Sequence, residues 1–482
     1  MSNKGSLLKN ILTFGVSSAT LAFLFLLAVI AARYLGPQDF GIFTFALAFV
    51  FFFDFLLDPG LYHLMIREIA RDNTKVRQYM LHAFVWKLIA IPVVFLLVVL
   101  VINFIHESSR IQNAVYLMAI SSFIKSIKDV YRSSLFAYEN FKLEAISAVI
   151  EKGGLLVLGG LALVMGYGLY GLCWSFVVVR IIDLFVIHFM SRQFFEIPAS
   201  KFHIQFLKYM LKSGIPIGAY YVTLNLYNYI DTVMISIMRN SEEVGWYSAS
   251  YKVYEGLLII PVIIGTVMLP RLSLSKNSDS EVFEEIITQG WRYLLILALL
   301  VISIGMPLTY DFIDMFYGEL YVESAITLKI LLYGVAFAYM VNFLQTVMIS
   351  IDKQKILVSI ALFGLILNVL LNYIVIQRYG YVGAAVVTVI VEALVFLMLS
   401  YYIISICVES SLILQLLKVT ACWLIPVIPA MLIPIDIPNY VRALFWSIGF
   451  IVLLRLTKAI NDQEWMKFAM VFHNLKLRYN QK

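Results

Sequence analysis

Long apolar runs alternate along this chain with short polar breaks, and each run approaches the roughly 20 residues that carry a helix across about 30 Å of hydrocarbon. They lie near residues 8–32, 40–66, 79–105, 113–136, 143–166, 170–191, 206–237, 245–270, 288–310, 325–350, 356–377, 382–406, 413–433 and 438–457. Fourteen such runs predict an all-α integral membrane protein, because a helix satisfies its own backbone groups where no water is available. The sharpest break is Ala31 to Phe43. There Gly36-Pro37 ends the first run and Asp39 stands where the second can be capped, so two apolar helices fold back on each other.

That break has an echo in Met238 to Tyr247, where Gly245 follows Gly41 at a spacing of 204 residues. Leu8-Lys9 with Gly15 resembles Leu207-Lys208 with Gly214, and Tyr167-Gly168-Leu169-Tyr170-Gly171 matches Tyr379-Gly380-Tyr381-Val382-Gly383. The chain therefore reads as internally duplicated. Six predicted helices precede a basic linker, and an even number makes both copies enter the membrane from the same side, related by a pseudo-twofold along the membrane normal. The expected organisation is a six-helix lobe at 1–191, a cytoplasmic linker at 192–205, a second six-helix lobe at 206–406, an extra helix pair at 407–458 and an amphipathic cytoplasmic tail at 459–482.

Composition sharpens this picture. The 482 residues are 62% hydrophobic and 14% charged, with mean hydropathy +0.89, more apolar surface than one water-soluble core can hide. The first run exceeds the roughly 7 to 15 apolar residues of a signal peptide, so it is expected to be retained. Lys and Arg gather on one set of loops and helix ends, among them Lys4, Lys9, Arg67, Arg71, Lys353, Lys355 and Lys458. The opposite set holds Arg33, Arg110, Arg239, Lys329, Arg378 and Arg442. That bias puts both termini in the cytoplasm. The net charge of +6 then reflects topology and contact with anionic membrane lipids, with no reason to invoke nucleic acid.

Enzyme signals are weak. Cys173, Cys407 and Cys422 have no paired spacing, and His63, His82, His106, His188, His203 and His473 have no ligand spacing, so neither a metal nor a cofactor is expected. Gly166 to Gly171 formally fits a dinucleotide fingerprint but follows no strand, and no phosphate-binding loop ends in Gly-Lys-Ser or Gly-Lys-Thr.

Ionisable residues inside apolar runs are the candidates for function. Lys125, Lys128, Asp129 and Arg132 fall on one side of a helix, a net positive face that suits a pyrophosphate. Alternatively Lys128 and Arg132 reach the headgroups while Lys125 and Asp129 neutralise each other. Tyr220, Tyr221, Asn225, Tyr227, Asn228, Tyr229 and Asp231 form a polar and aromatic band whose groups suit sugars, or equally interhelical hydrogen bonds. Lys252 and Glu255 make either a salt bridge or a phosphate ligand held by its carboxylate. Asp54 and Asp58, just ahead of Pro59-Gly60, are candidates for ion coupling, or for pairing with Lys87 or Arg67. Arg180 with Asp183, and Glu151 beside Lys152, read as structural pairs.

The turn Arg33-Tyr34-Leu35-Gly36-Pro37-Gln38-Asp39-Phe40-Gly41, the stretch Asn225 to Asp231 with Tyr247, and Pro270-Arg271-Leu272-Ser273 carry a resemblance over nearly the whole chain. The sequence resembles the polysaccharide-biosynthesis flippases (Wzx-type) of the multidrug/oligosaccharidyl-lipid/polysaccharide exporter superfamily. The resemblance implies two six-helix lobes around a central cavity, and transfer of a polyprenyl-pyrophosphate-linked oligosaccharide from the cytoplasmic to the outer leaflet of the inner membrane. It implies a role in O-antigen or exopolysaccharide biosynthesis and no enzymatic chemistry, with a glycan polymerase or glycosyltransferases as further partners. A cation-coupled drug exporter of the same superfamily is the alternative, and a membrane polysaccharide polymerase or ligase the third reading.

Overall fold

Glycine and proline decide where the helices stop. In the computed structural model the described residues are 20–192, 201–278, 280–407, 411–427, 429 and 438–460, and every element among them is helical. The start of the first run, residues 193–200 of the linker and the tail from 461 lie outside the described residues. Leu21–Phe51 leaves helical geometry at Gly36 (φ 71°, ψ 174°), so the chain turns between two helices as the sequence implied, with Pro37 opening the second where its missing N–H costs little. Asp39 does not cap that second helix. Its carboxylate instead pairs with Arg110 at 2.6 Å.

The next break falls at Asp58-Pro59-Gly60, between Asp54–Leu57 and Leu61–Arg71, with Gly60 at φ 84°. Val76–Ile105 and Ser109–Ala137 follow, then Phe141–Gly154, which runs through a π-helical turn at Leu155–Gly159 into Gly160–Val164, and Gly168–Arg192. After the linker come Ile204–Met238, Ser241–Leu257, Ile259–Ser278, Ser280–Gly305, Thr309–Tyr317 and Ser324–Ser350. Gln354–Cys407 breaks at Gly380 (φ 57°, ψ −143°), just past which the Tyr381 N–H donates to Glu243 Oε2 at 3.1 Å. Glu243 thus supplies the negative charge that a helix start favours. Ser411–Leu424 and Asn439–Leu456 close the described chain.

Nine helices among the described residues are long and apolar enough to cross a membrane, fewer than the fourteen predicted runs, and the difference has physical causes. The two helices on either side of Gly36, and the two on either side of Gly380, each fall within one stretch of that count, Ala22–Phe51 and Gln354–Ile404. Ser109–Ala137 and Ile204–Met238 carry too many polar and charged residues for an apolar window, and the helix described in the run near 413–433, Ser411–Leu424, is too short.

The chain divides into two compact units. The first comprises Met1–Lys252, Phe316–Thr327 and Ala361–Val387. Within it Ser109–Ala137 packs against Gly168–Arg192, Val76–Ile105, Leu61–Arg71 and Leu21–Phe51, while Ile204–Met238 packs on Leu21–Phe51 and Leu61–Arg71. The second comprises Val253–Met315, Leu328–Ile360 and Thr388–Lys482, built on Ser280–Gly305 against Asn439–Leu456 and Ser411–Leu424. Its core sets Trp423, Trp446 and Phe450 among aliphatic side chains; Trp423 and Trp446 lie 5.3 Å apart, and Trp423 Nε1 donates to Ser303 Oγ at 3.0 Å.

In the first unit the two similar turns meet each other. A Cβ on Gly41 would stand 2.8 Å from the Gly245 nitrogen, and a Cβ on Gly245 would stand 2.7 Å from the Pro37 carbonyl carbon, so only glycine permits the approach. One turn further along, Ser248 Oγ donates to Thr44 Oγ1 at 3.0 Å, again across 204 residues. The segment Phe316–Thr327 ties both turns down. Tyr321, fully buried, donates its hydroxyl to Ala32 O at 3.0 Å, and the Trp246 indole donates to Leu320 O at 3.1 Å. Tyr321→Phe is expected to cost about 1 kcal/mol, read as a lowered midpoint of thermal unfolding in detergent.

Candidate functional site

The break at Pro59-Gly60 opens a cavity of about 180 Å³ in the first unit. It is smaller than the roughly 300–1,000 Å³ of whole-ligand pockets, so it fits part of a ligand. The chain enters it through Phe51, Asp54 and Asp58 and leaves through Gly60, Tyr62 and His63. Ser122, Lys125, Ser126 and Asp129 line it from Ser109–Ala137, and Gly218 and Tyr221 from Ile204–Met238. The positions 122, 125, 126 and 129 follow helical spacing, so one face of Ser109–Ala137 meets the cavity.

The same break creates the first polar contact. Leu57 ends a helix inside apolar surroundings, and its carbonyl must find donors. It accepts from Lys87 Nζ at 2.9 Å and from Trp86 Nε1 at 3.2 Å. Lys87 also donates to Asp58 Oδ2 at 2.8 Å, and Asp58 Oδ1 accepts the N–H of Tyr62 at 3.1 Å. Asp58 is thus held as the partner of Lys87, as the pairing alternative required, while still lining the cavity. Asp54 accepts from Ser122 Oγ at 2.7 Å and faces Lys125 Nζ at 3.9 Å. Lys125 in turn lies 5.5 Å from the centre of the Phe51 ring.

The expected positive face on Ser109–Ala137 is not what the structure shows. Lys125 and Asp129 look into the cavity, whereas Lys128 and Arg132 turn to neighbouring helices. Lys128, 1% exposed, donates to Asp183 Oδ2 at 2.9 Å and to Glu151, and Asp183 also accepts from Ser147 Oγ at 2.8 Å. Arg180 faces the same Glu151 at 3.6 Å and donates to Ser121 Oγ at 2.9 Å. Arg132 pairs with the buried Glu144 and lies beside the Phe136 ring. Each cation is consumed by a carboxylate from Phe141–Gly154 or Gly168–Arg192, so neither Lys128 nor Arg132 lines the cavity. The lining instead holds Asp54, Asp58 and Asp129 against Lys125.

The aromatic band divides in the same way. Tyr221 stacks on His63 with ring centres 3.8 Å apart and lines the cavity. Tyr229 stacks on Phe51 at 4.7 Å and lines a separate cleft of about 50 Å³ with Thr232, Ser248, Tyr251 and Lys252. Phe51 contributes to both. Asp231 lies in neither. It is buried, accepting from Tyr247 OH and from Asn372 Nδ2, each at 2.7 Å. Asn228 is exposed, the side chain of Asn225 lies outside the described residues, and Glu255 is an exposed residue of the second unit. Lys125 and Tyr221 therefore converge on one cavity, Lys252 occupies its own cleft, and Asp231 belongs to a buried network. Sequence reading passed over Ser126 and His63, and gave Asp129 only the task of neutralising Lys125. The helical spacing of 122, 125, 126 and 129 was the signal available. Among the described residues no three His, Cys, Asp or Glu side chains form a group able to hold a metal ion.

A model of the polysaccharide biosynthesis protein family matches residues 7–276, more than half of the chain. The chain belongs to the polysaccharide biosynthesis protein family. A second model, MatE, matches residues 216–374. A Shigella flexneri protein provisionally named an O-antigen transporter is 27% identical over 378 residues, which is 75% of this chain and 90% of that protein. An uncharacterized membrane protein of Methanocaldococcus jannaschii is 27% identical over 199 residues, 41% of this chain and 45% of that one. Among solved structures, the lipid II flippase MurJ in an inward closed conformation superposes with TM-score 0.77 at 15% identity, covering 93% of this chain and 98% of MurJ. An inward-facing multidrug resistance MATE family transporter gives TM-score 0.66 at 14% identity, covering 82% and 98%. These likenesses fix the fold of this polysaccharide biosynthesis family member, an all-α, multi-pass membrane protein.

Proposed function

We propose that this chain is a flippase for a lipid-linked oligosaccharide, the reading that its family membership over residues 7–276 carries. Its cargo is a glycan on a polyprenyl diphosphate, moved from the cytoplasmic to the outer leaflet of the inner membrane with both termini in the cytoplasm. Access alternates as a lobe at 1–191 moves against a lobe at 206–406, and the extra helices at 407–458 stand outside that exchange. The glycan polymerase or glycosyltransferases of the same pathway are its partners.

A cleft lined by Lys125, Arg180, Asp54 and Ser122 adjoins the cavity through shared residues, and with Arg180 facing Glu151, Lys125 is the cation it offers a ligand. We assign the diphosphate to Lys125 there, with Lys252 in the neighbouring cleft as the second cation. A hydrogen bond to a charged group contributes about 1.5–3 kcal/mol, so Lys125→Ala is expected to slow transfer roughly ten- to a hundredfold. The measurement is the fraction of lipid-linked glycan exposed in the outer leaflet of cells that depend on this chain for export. Undiminished export by Lys125→Ala would remove Lys125 from the site, and export unchanged in cells lacking the chain would overturn the flippase itself.

The three carboxylates of the lining favour a second reading, the cation-coupled drug exporter, because such a cargo prefers an acidic and aromatic cavity. Drug efflux without glycan export in the same cells would decide for it.

A further inference from the structure

The cavity is not symmetric in charge. Towards the adjoining cleft it presents Lys125, and on its other side Asp58, Asp129, His63 and Tyr221. Three lining carboxylates against Lys125 leave two negative charges, and Lys87 offsets one of them through Asp58. The nearby cations offset the rest only from a distance, since Arg180 faces Glu151 and Arg132 is paired with Glu144, while Arg132 and Lys128 also interact electrostatically with Asp129. Asp129 lines the cavity and makes no direct hydrogen bond or ion pair among the described residues, so its carboxylate is open to a donor from an occupant.

A second observation points to a ligand. Ser126, one helical turn from Asp129 and 7% exposed, lines the cavity, and its hydroxyl has no hydrogen-bond partner. Buried polar groups are normally satisfied, and an orphan facing a cavity wants an occupant with donors and acceptors of its own. Across from it the Tyr221 ring, backed by His63, is a partly exposed flat surface. An unpartnered carboxylate, an unsatisfied hydroxyl and an aromatic face are the groups that hold a sugar ring by its hydroxyls and its apolar face.

We infer that this cavity is a sugar subsite, formed by Asp129, Ser126 and Tyr221, that accepts neutral or amino sugars and rejects sugars bearing a carboxylate. The inference rests on the flippase reading and adds the class of glycan. A hydroxyl or ammonium group donates to Asp129, whereas a uronate brings a second negative charge into a poorly solvated space that already holds one.

The test uses the full chain in lipid vesicles with two polyprenyl-diphosphate cargoes, one with a neutral oligosaccharide and one with a uronate in place of a neutral sugar. The wild-type chain is expected to move the neutral cargo at least about tenfold faster, Ser126→Ala to slow the neutral cargo, and Asp129→Asn to bring the two rates together. Transfer of neither cargo by the wild-type chain would overturn the flippase reading. Equal transfer of both would overturn the sugar subsite and leave the flippase standing. A wild-type preference that persists in Asp129→Asn would remove Asp129 from the selection. The wild-type comparison stands even if a variant fails to fold.

Discussion

Replacing Lys128 with methionine is expected to cost about 3–5 kcal/mol and to remove most of the folded chain from the membrane. Methionine keeps the length of the side chain, so packing changes little, and the loss is electrostatic. Asp183 is 0% exposed and keeps Ser147 as a hydrogen-bond donor, while Glu151 keeps Arg180 at 3.6 Å. Two carboxylates are then left sharing one guanidinium in apolar surroundings. Such a buried group costs far more when one partner is removed than the intact pair contributes. The measurement is the midpoint of thermal unfolding in detergent together with the yield of monodisperse protein. Adding Asp183→Asn to Lys128→Met removes one of the orphaned charges and is expected to restore part of the loss. A single variant that unfolds at the wild-type temperature would show that the cluster contributes nothing to the fold.

That cluster also marks how far the sequence could be read. Turns were legible at Gly36-Pro37 and Gly380 because their causes are local, the backbone freedom of glycine and the missing N–H of proline, whereas the run expected at 40–66 passes through Pro59-Gly60, where the same causes break it. The likeness of the two turns was legible too, and the structure adds what spacing does not imply, that Gly41 and Gly245 meet where only glycine permits so close an approach. Lys125, Lys128, Asp129 and Arg132 could be assigned to one side of a helix, but that side is broad enough to meet two environments. Which neighbour it meets depends on residues far along the chain. Lys128 finds Glu151 at a separation of 23 residues and Asp183 at 55, and neither is implied by periodicity within Ser109–Ala137. Asp231 shows the same limit, because Asn372 reaches it across 141 residues. A polar band read as facing a cavity is therefore split between a cavity wall at Tyr221 and a buried network at Asp231.

The break at Gly60 is where backbone and cavity meet, and Gly60→Ala is the second large effect expected. Two costs add there. The backbone has φ +84°, a conformation that costs an L-residue about 1–2 kcal/mol. The new methyl would also overlap the Gly214 carbonyl oxygen and stand 2.5 Å from the Gly218 nitrogen, both backbone atoms that cannot swing away as a side chain would. Overpacking of this kind costs roughly another 1–3 kcal/mol. Gly36 offers strain without overlap: its φ of +71° with ψ 174° is a region essentially reserved for glycine, and nothing lies within 4 Å of the added Cβ. Gly36→Ala is therefore expected to lower the unfolding midpoint through backbone strain alone, and Gly60→Ala through milder strain together with the overlap. Because Gly60, Gly218 and Tyr221 line the same cavity, the overlap must also push Ile204–Met238 away from Leu61–Arg71 and shift the Tyr221 ring relative to His63. Gly60→Ala should consequently slow transfer of cargo as well as weaken the fold, whereas Gly36→Ala should leave transfer by the surviving protein near the wild-type rate. A Gly60→Ala chain that loses no more than about 1–2 kcal/mol and transfers cargo at the wild-type rate would mean that the helices yield freely at Gly60 and that its close contact does not hold the cavity in shape.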